Sequence, residues 1–255
     1  MPFIDISTSA NLYYDDAGPK DGPTLIAVHG RLGTGRIDLG NVIDWFAQQG
    51  YHVLAPTLRG YGQSSPKPRD FPIDFYRRDA LDVLAFMDAV GVERAHLFGY
   101  SDGGEMALIA AGLAPERFRS VMTVGAVGYF GPEIRPIVQG NYPATWLEND
   151  PDLMAVHSIT DANGLILGWV QSMKHYIDSG GDVALSLAPK ISAPLLLMLG
   201  RGDTLNPEAY GQRVVDLAQR GKLVMFDTGH GIHDEAPDEF KRVVSGFLKE
   251  VESAE

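Results

Sequence analysis

Gly99-Tyr100-Ser101-Asp102-Gly103-Gly104 is the stretch on which the reading turns. It follows the apolar run AHLFGY (95–100), which reads as a buried strand, and it opens a helical run over 105–113. G-x-S-x-G between a strand and a helix is the pattern of a nucleophile elbow. The serine of such an elbow sits in a strained turn, and its neighbours two before and two after must lack bulk. The helix start after Ser101 aims free N–H groups at any negative charge developing there. A Gly-rich turn with an incidental serine is the bland alternative, and the strand before and helix after argue against it.

A serine alone is a poor nucleophile and needs a base. Asp203 follows the apolar run PLLLMLG (194–200), and His230 follows KLVMFD (222–227). The order Ser, Asp, His is one of three unrelated chain orders known for such triads. It places acid and base after successive late strands, at the carboxyl edge where open α/β sheets bind ligands. His233 and Asp227 are the competing base and acid. The Gly-His turn directly after the strand favours His230, and Asp227 stands too near His230 in sequence. His52, His96, His157 and His175 show no metal-ligand spacing and read as core or surface residues. No H-E-x-x-H motif occurs, so no metal is expected.

A third Gly-rich segment, His29-Gly30-Arg31-Leu32-Gly33-Thr34-Gly35, follows the run TLIAVH (24–29). It lacks the G-K-[ST] ending of a phosphate loop. It can supply a second oxyanion donor beside the amide of Asp102. The amide of Arg31 is the candidate, with Leu32 the alternative.

Further out, short apolar runs alternate with helical patterns. The runs HVLA (52–55) and SVMTVG (120–125) complete the set of six, and 3–7 with 12–15 read as an antiparallel pair in front of them. Continuous apolar runs of this length suit a parallel sheet covered on both faces. Tyr76, Ala80, Val83, Leu84 and Met87 repeat at helical spacing, as do Phe240, Val243, Val244, Phe247 and Leu248. The fold class predicted is α/β, with eight mostly parallel strands flanked by helices. The rhythm breaks over 128–189, where Pro132, Pro136, Pro143 and Pro151, then Trp146 and Trp169, and one helical stretch near 164–177 replace any clean strand. An unstructured loop so long is improbable in a compact domain. The expected organisation is a core of 1–127 and 190–255 with an inserted helical cap at 128–189.

The chain has 255 residues, a formal net charge of −12 and no cysteine. The acidity argues against nucleic acid as a partner. Lack of cysteine excludes disulfides, thiolate metal sites and a cysteine nucleophile. MPFIDISTSANLYYDD carries no basic n-region or long apolar run, so no signal peptide is expected, and no stretch reads as a membrane span. The expectation is a cytoplasmic protein without cofactor, acting on a small molecule; whether it is a monomer or a homo-oligomer stays open.

HGRLGTG, GYSDGG and GRGDTLNP…TGHGIH, with APTLRGYGQSS (55–65), resemble the α/β-hydrolase superfamily across the whole core. APTLRGYGQSS carries Thr57 where many members have Asp. Within the superfamily the chain is most similar to the biphenyl hydrolase-like (valacyclovir hydrolase-like) esterases, through the Ser-Asp-Gly-Gly elbow, the x-L-G-x-G loop and a short cap. That resemblance implies hydrolysis of a small carboxylic ester, including an amino-acid ester whose ammonium group would pair with Asp102. Helix capping is the alternative role for that side chain. Tyr142, Trp146, His157, Trp169, Met173 and Tyr176 are the candidates to line a pocket, Trp146 and Trp169 first. The same triad also serves perhydrolases, acyltransferases, lactonases and C–C hydrolases, and a non-catalytic small-ligand receptor can keep it. Dehalogenases and epoxide hydrolases fit less well, because the resemblance gives them Asp at the elbow.

Overall fold

A computed structural model describes residues 2–253. Its strands are β1 (Phe3–Ile6), β2 (Ala10–Ala17), β3 (Thr24–Val28), β4 (His52–Pro56), β5 (Ala95–Tyr100), β6 (Phe118–Val124), β7 (Leu195–Gly200) and β8 (Gly221–Phe226). They form one sheet in the order β1-β2-β4-β3-β5-β6-β7-β8. β1 and β2 are antiparallel and the rest run parallel from β4 onward. The order reverses at β3, with β4 on one side and β5 on the other, and a crevice opens at such a switch point.

The helices are α1 (Gly35–Gln48), α2 (Phe75–Ala89), α3 (Asp102–Leu113), α4 (Arg135–Gln139), α5 (Thr145–Glu148), α6 (Pro151–His157), α7 (Ala162–Asp178), α8 (Glu208–Leu217), α9 (Ile232–Glu235) and α10 (Pro237–Glu252). Caps set several starts: Thr34 accepts from Ile37 N, Asp150 from Leu153 N and Asp161 from Gly164 N.

Successive strand residues point to opposite faces, and the two faces carry separate cores. Ile26, Val28, Leu97, Val121, Leu195 and Leu197 pack with residues of α2, α3 and α7. Leu25, Ala27, Phe98, Met122, Leu196 and Met198 pack against α1 and α10. Both faces are dry, which is why the strands read as unbroken apolar runs. A Leu197→Ala truncation in such a core would cost about 2–5 kcal/mol.

Two boundaries differ from the pattern-based expectation. β2 runs to Ala17 through Asp15 and Asp16, because 10–13 pair with β1 and 14–17 go on to pair with β4. α3 starts at Asp102 rather than 105, since the turn at Ser101 leads straight into the helix. Between β6 and β7 lie α4 to α7, of which only α7 has a periodic signature in the sequence. Pro136 and Pro151 stand in the first turns of α4 and α6.

Candidate active site

β5 delivers Ser101 at the crevice. Its backbone has φ +54° and ψ −124°, a conformation that costs an L residue energy and persists only when its surroundings fix it. Here the Ser101 N–H donates to Val124 O at 2.8 Å, and the Ser101 carbonyl accepts from Gly104 N at 2.8 Å and Glu105 N at 3.1 Å. A Cβ on Gly99 would lie 2.4 Å from the Gly103 carbonyl oxygen, and one on Gly103 2.4 Å from those of Val28 and His29. Glycine at both positions lets β5, α3 and the end of β3 meet backbone to backbone.

β7 and β8 bring two more groups to the same edge. His230 Nε2 lies 2.9 Å from Ser101 Oγ, and His230 Nδ1 lies 2.6 Å from Asp203 Oδ2. Asp203 is buried and also accepts from Leu205 N at 3.0 Å and Asn206 Nδ2 at 2.9 Å. Burial pushes its carboxyl up, but the hydrogen bond and charge of His230, with the Asn206 and Leu205 donors, outweigh that and hold it below its usual range. An ionised Asp203 keeps the proton on Nδ1 and leaves Nε2 to accept from the serine hydroxyl. His233 is elsewhere: it is buried against Tyr100, ring centroids 4.6 Å apart, with Nε2 3.2 Å from the Asp38 carbonyl. Asp227 is exposed and pairs with Arg201 at 3.2 Å.

The loop after β3 lies against the nucleophile: a Cβ on Gly30 would be 3.1 Å from Ser101 Cβ. Two buried groups shape it. His29 accepts from Leu58 N through Nε2 at 2.9 Å, so its Nδ1–H donates to the Gly30 carbonyl at 2.7 Å. Burial pulls this imidazole down to about 3, and it stays neutral. Asp38 of α1 accepts from Gly30 N at 2.8 Å. Burial lifts its carboxyl to about 6, against the opposing Gly30 hydrogen bond. Leu32 has φ +60°, and Arg31 and Leu32 therefore present their amides from a tight turn. The amide of Asp102 is the first of α3 and has no intrahelical acceptor.

The side chain of Asp102 does not cap its helix. Oδ1 accepts from the Tyr76 hydroxyl at 2.7 Å, and Oδ2 is buried without a partner. Burial raises its carboxyl, opposed first by the charge of Arg31 and then by the Tyr76 bond. Tyr76 also touches Met173, with Oη 3.4 Å from the sulfur, and its ring centroid is 5.6 Å from that of Tyr176. Trp169 is buried under the Arg31 guanidinium. Trp146 and Tyr142 are exposed at 41% and 43%, so they edge the site rather than floor it. His157 is buried between two loops, bonded to Gly62 N and the Leu32 carbonyl, and it lines a cavity of about 310 Å³ with Arg69, Phe71 and Leu165, away from the Ser101 relay.

Sequence reasoning passed over several of these residues. Asn206, three positions after Asp203, was within reach of a spacing argument. Asp38 and Tyr76 carry no local signal, since each is an ordinary helical residue until the loops pack on it. Gly125 is another: a Cβ there would lie 2.6 Å from His230 Cε1, so glycine leaves room for the imidazole.

No helix among the described residues is long and apolar enough to cross a membrane. The sequence profile of the alpha/beta hydrolase fold matches residues 23–171. The chain is 31% identical over 244 residues to serine hydrolase BPHL of Homo sapiens, covering 93% of this chain and 83% of that one. It is 28% identical over 278 residues to a 2-hydroxy-6-oxononadienedioate/2-hydroxy-6-oxononatrienedioate hydrolase of Pseudomonas sp, covering 96% and 95%. Among solved structures, a hydrolase from Pseudomonas aeruginosa PA01 superposes with TM-score 0.76 at 23% identity, covering 97% of each chain, which speaks for the fold alone. With its eight-stranded sheet and its match to both profile and relatives, the chain belongs to the alpha/beta hydrolase family and is a hydrolase enzyme.

Proposed function

We propose that this hydrolase cleaves a carboxylic ester of a small molecule through an acyl-enzyme on Ser101. The single observation that carries the reading is the relay Ser101 Oγ, His230 Nε2, His230 Nδ1, Asp203 Oδ2, with links of 2.9 and 2.6 Å. Ser101 Oγ attacks the acyl carbon as its proton passes to His230 Nε2. The bond from the acyl carbon to the alcohol oxygen then breaks, and His230 returns that proton to the leaving alcohol. Water repeats the sequence, releasing the acid and restoring Ser101. Asp203 keeps the imidazole in its tautomer. The amides of Asp102 and Arg31, with Leu32 as the alternative, hold the oxyanion.

Residues 128–189 act as a cap over this chemistry, inserted into a core of 1–127 and 190–255. Three contacts between cap and core support that role: Asn141 with Arg31, His157 with Leu32, and Ser172 with the Phe71 carbonyl. Trp169 and Trp146 bound the substrate space from the cap side. Similarity to the human serine hydrolase supports an ester substrate, and the buried, unpartnered Oδ2 of Asp102 supports an amino-acid ester within that class. A carbon–carbon hydrolase is the second reading, favoured by the Pseudomonas relative. The enzyme is proposed to work in the cytoplasm, without a cofactor.

A fluorophosphonate probe and a p-nitrophenyl ester test the reading together. One site of labelling and steady ester turnover are expected, both lost in Ser101→Ala. Labelling that persists in the variant would remove Ser101 from the role. Turnover of a dienedioate in the absence of any ester turnover would favour the second reading.

A further inference from the structure

Arg31 contributes more than an amide to the edge of the site. Its guanidinium lies over Trp169, 3.8 Å from the ring centroid, with Trp146 at 5.8 Å. Nη2 donates to Asn141 Oδ1 at 2.9 Å. Stacking on one face and a hydrogen bond at one nitrogen fix the plane of the group. The other nitrogen, Nη1, is buried and has no partner among the described residues. A contact that only glued the cap to the core would be complete with the stack and the Asn141 bond, and a buried charged donor left over is costly.

Asp102 stands within electrostatic reach of this cation. The two do not satisfy one another, because Asp102 Oδ2 is itself buried and unpartnered while Oδ1 takes the Tyr76 hydroxyl. A fixed, planar donor beside the nucleophile's loop is suited to a planar acceptor of single negative charge. A phosphate dianion would want more than the one free nitrogen.

The geometry points to a carboxylate subsite: Arg31 Nη1 receives a carboxylate that the substrate carries in addition to the ester it presents to Ser101. Among the esters the site accepts, the subsite favours those with an anionic arm, such as half-esters of short dicarboxylic acids, and it acts independently of any ammonium held by Asp102. This rests on the ester-hydrolase reading of the site, and the side chain of Arg31 is its specificity determinant.

The test is a ratio. The p-nitrophenyl half-ester of glutaric acid is compared with its isostere in which an isopropyl group replaces the carboxylate, as kcat/KM on each enzyme. The wild type is expected to favour the half-ester by about tenfold or more. Arg31→Met is expected to bring the ratio near one whatever it does to overall turnover, and Arg31→Lys to fall between. A wild-type ratio near or below one overturns the inference, as does a Met variant that keeps the wild-type ratio. Calorimetry with glutarate gives a reading independent of turnover. Binding to Ser101→Ala that is lost in Ser101→Ala/Arg31→Met supports the subsite, and no binding or equal binding overturns it. If no ester is turned over at all, the ester reading falls alone and the calorimetry still decides on Arg31.

Discussion

His157 ties the cap to the loop that carries the candidate oxyanion donor: its Nε2–H donates to the Leu32 carbonyl at 2.8 Å, while its Nδ1 accepts from Gly62 N at 2.9 Å. Both bonds need a neutral ring with the proton on Nε2. Burial supplies it, lowering the imidazole below its usual range against the raising effect of the Leu32 bond. Leu32 sits at φ +60°, a conformation that external bonds must hold. His157→Phe should therefore lower kcat about tenfold or more while KM changes less, because the loss falls on the transition-state oxyanion rather than on ground-state binding. His157→Gln, which can mimic one of the two bonds, should recover part of it. Equal losses in kcat and in thermal stability for both variants would reduce His157 to a packing residue.

Asp203→Asn should cost about four orders of magnitude in kcat, because an amide at that position favours the wrong imidazole tautomer. His230→Ala should cost at least as much. The double variant should lose little more than the worse single one, since the groups act as a unit. His233→Ala removes a ring packed on Tyr100 and a contact to the Asp38 carbonyl, so a modest loss is expected. Steady-state kinetics on the four variants checks this, and a His233 loss exceeding that of His230 would reverse the choice of base.

The parts of this molecule that could be read in advance are those written locally. The strands from β3 to β7 announce themselves as apolar runs because both faces of the sheet are covered, and the turn at Ser101 announces itself because its two flanking glycines are sterically required. The parts that could not be read are made by approach through space. Arg31 meets Asn141 across 110 residues and Leu32 meets His157 across 125. No window around either partner contains the other. Arg31 drew notice for its amide, and only the stack on Trp169 shows that its side chain turns inward. His157 reads from the sequence as a candidate pocket-lining residue, and it does border a cavity, but nothing around it announces that it also bridges the loops at Leu32 and Gly62.

Glu105 supplies a pH-dependent term in stability. It is buried in α3 and accepts from Val127 N at 2.8 Å and Gly128 N at 2.9 Å. The Gly128 carbonyl in turn accepts from Val183, Ala184 and Leu185, so one acid holds the two ends of the cap together. Burial raises its carboxyl to about 8, against the lowering effect of the Val127 and Gly128 bonds. The folded state thus keeps a proton that the unfolded chain releases near the ordinary value of 4.5. Stability from this group is complete below that value and is lost progressively as pH rises toward 8. Melting temperature should fall over that window, and Glu105→Gln should flatten the fall. The difference between the two proteins isolates Glu105 from the other carboxylates, and parallel curves would show that it is ionised in the folded state.

Asp102 offers the sharpest test of the amino-ester reading. Its Oδ1 is occupied by Tyr76, which leaves Oδ2 as the one atom able to meet a substrate ammonium. Arg31 nearby weakens the site's pull on a cation, so the ammonium must be placed on the Asp102 side and away from the guanidinium. If the pair forms, Asp102→Asn should cost about 2 kcal/mol or more in kcat/KM for a valine ester. The des-amino analogue of the same shape should be nearly unaffected. The pH dependence carries the same signature with a definite sign. Burial lifts the Asp102 carboxyl above its usual range, so the ratio of valine ester to analogue should climb with pH as the acid ionises, from a value near one where it is protonated. Tyr76→Phe should shift that climb to higher pH, because the hydroxyl favours the ionised form. A wild-type ratio that stays near one at every pH would leave an esterase with no use for the ammonium. A large ratio that survives Asp102→Asn would place the cation on another acid, with Glu148 and Asp161 of the cap the next to substitute.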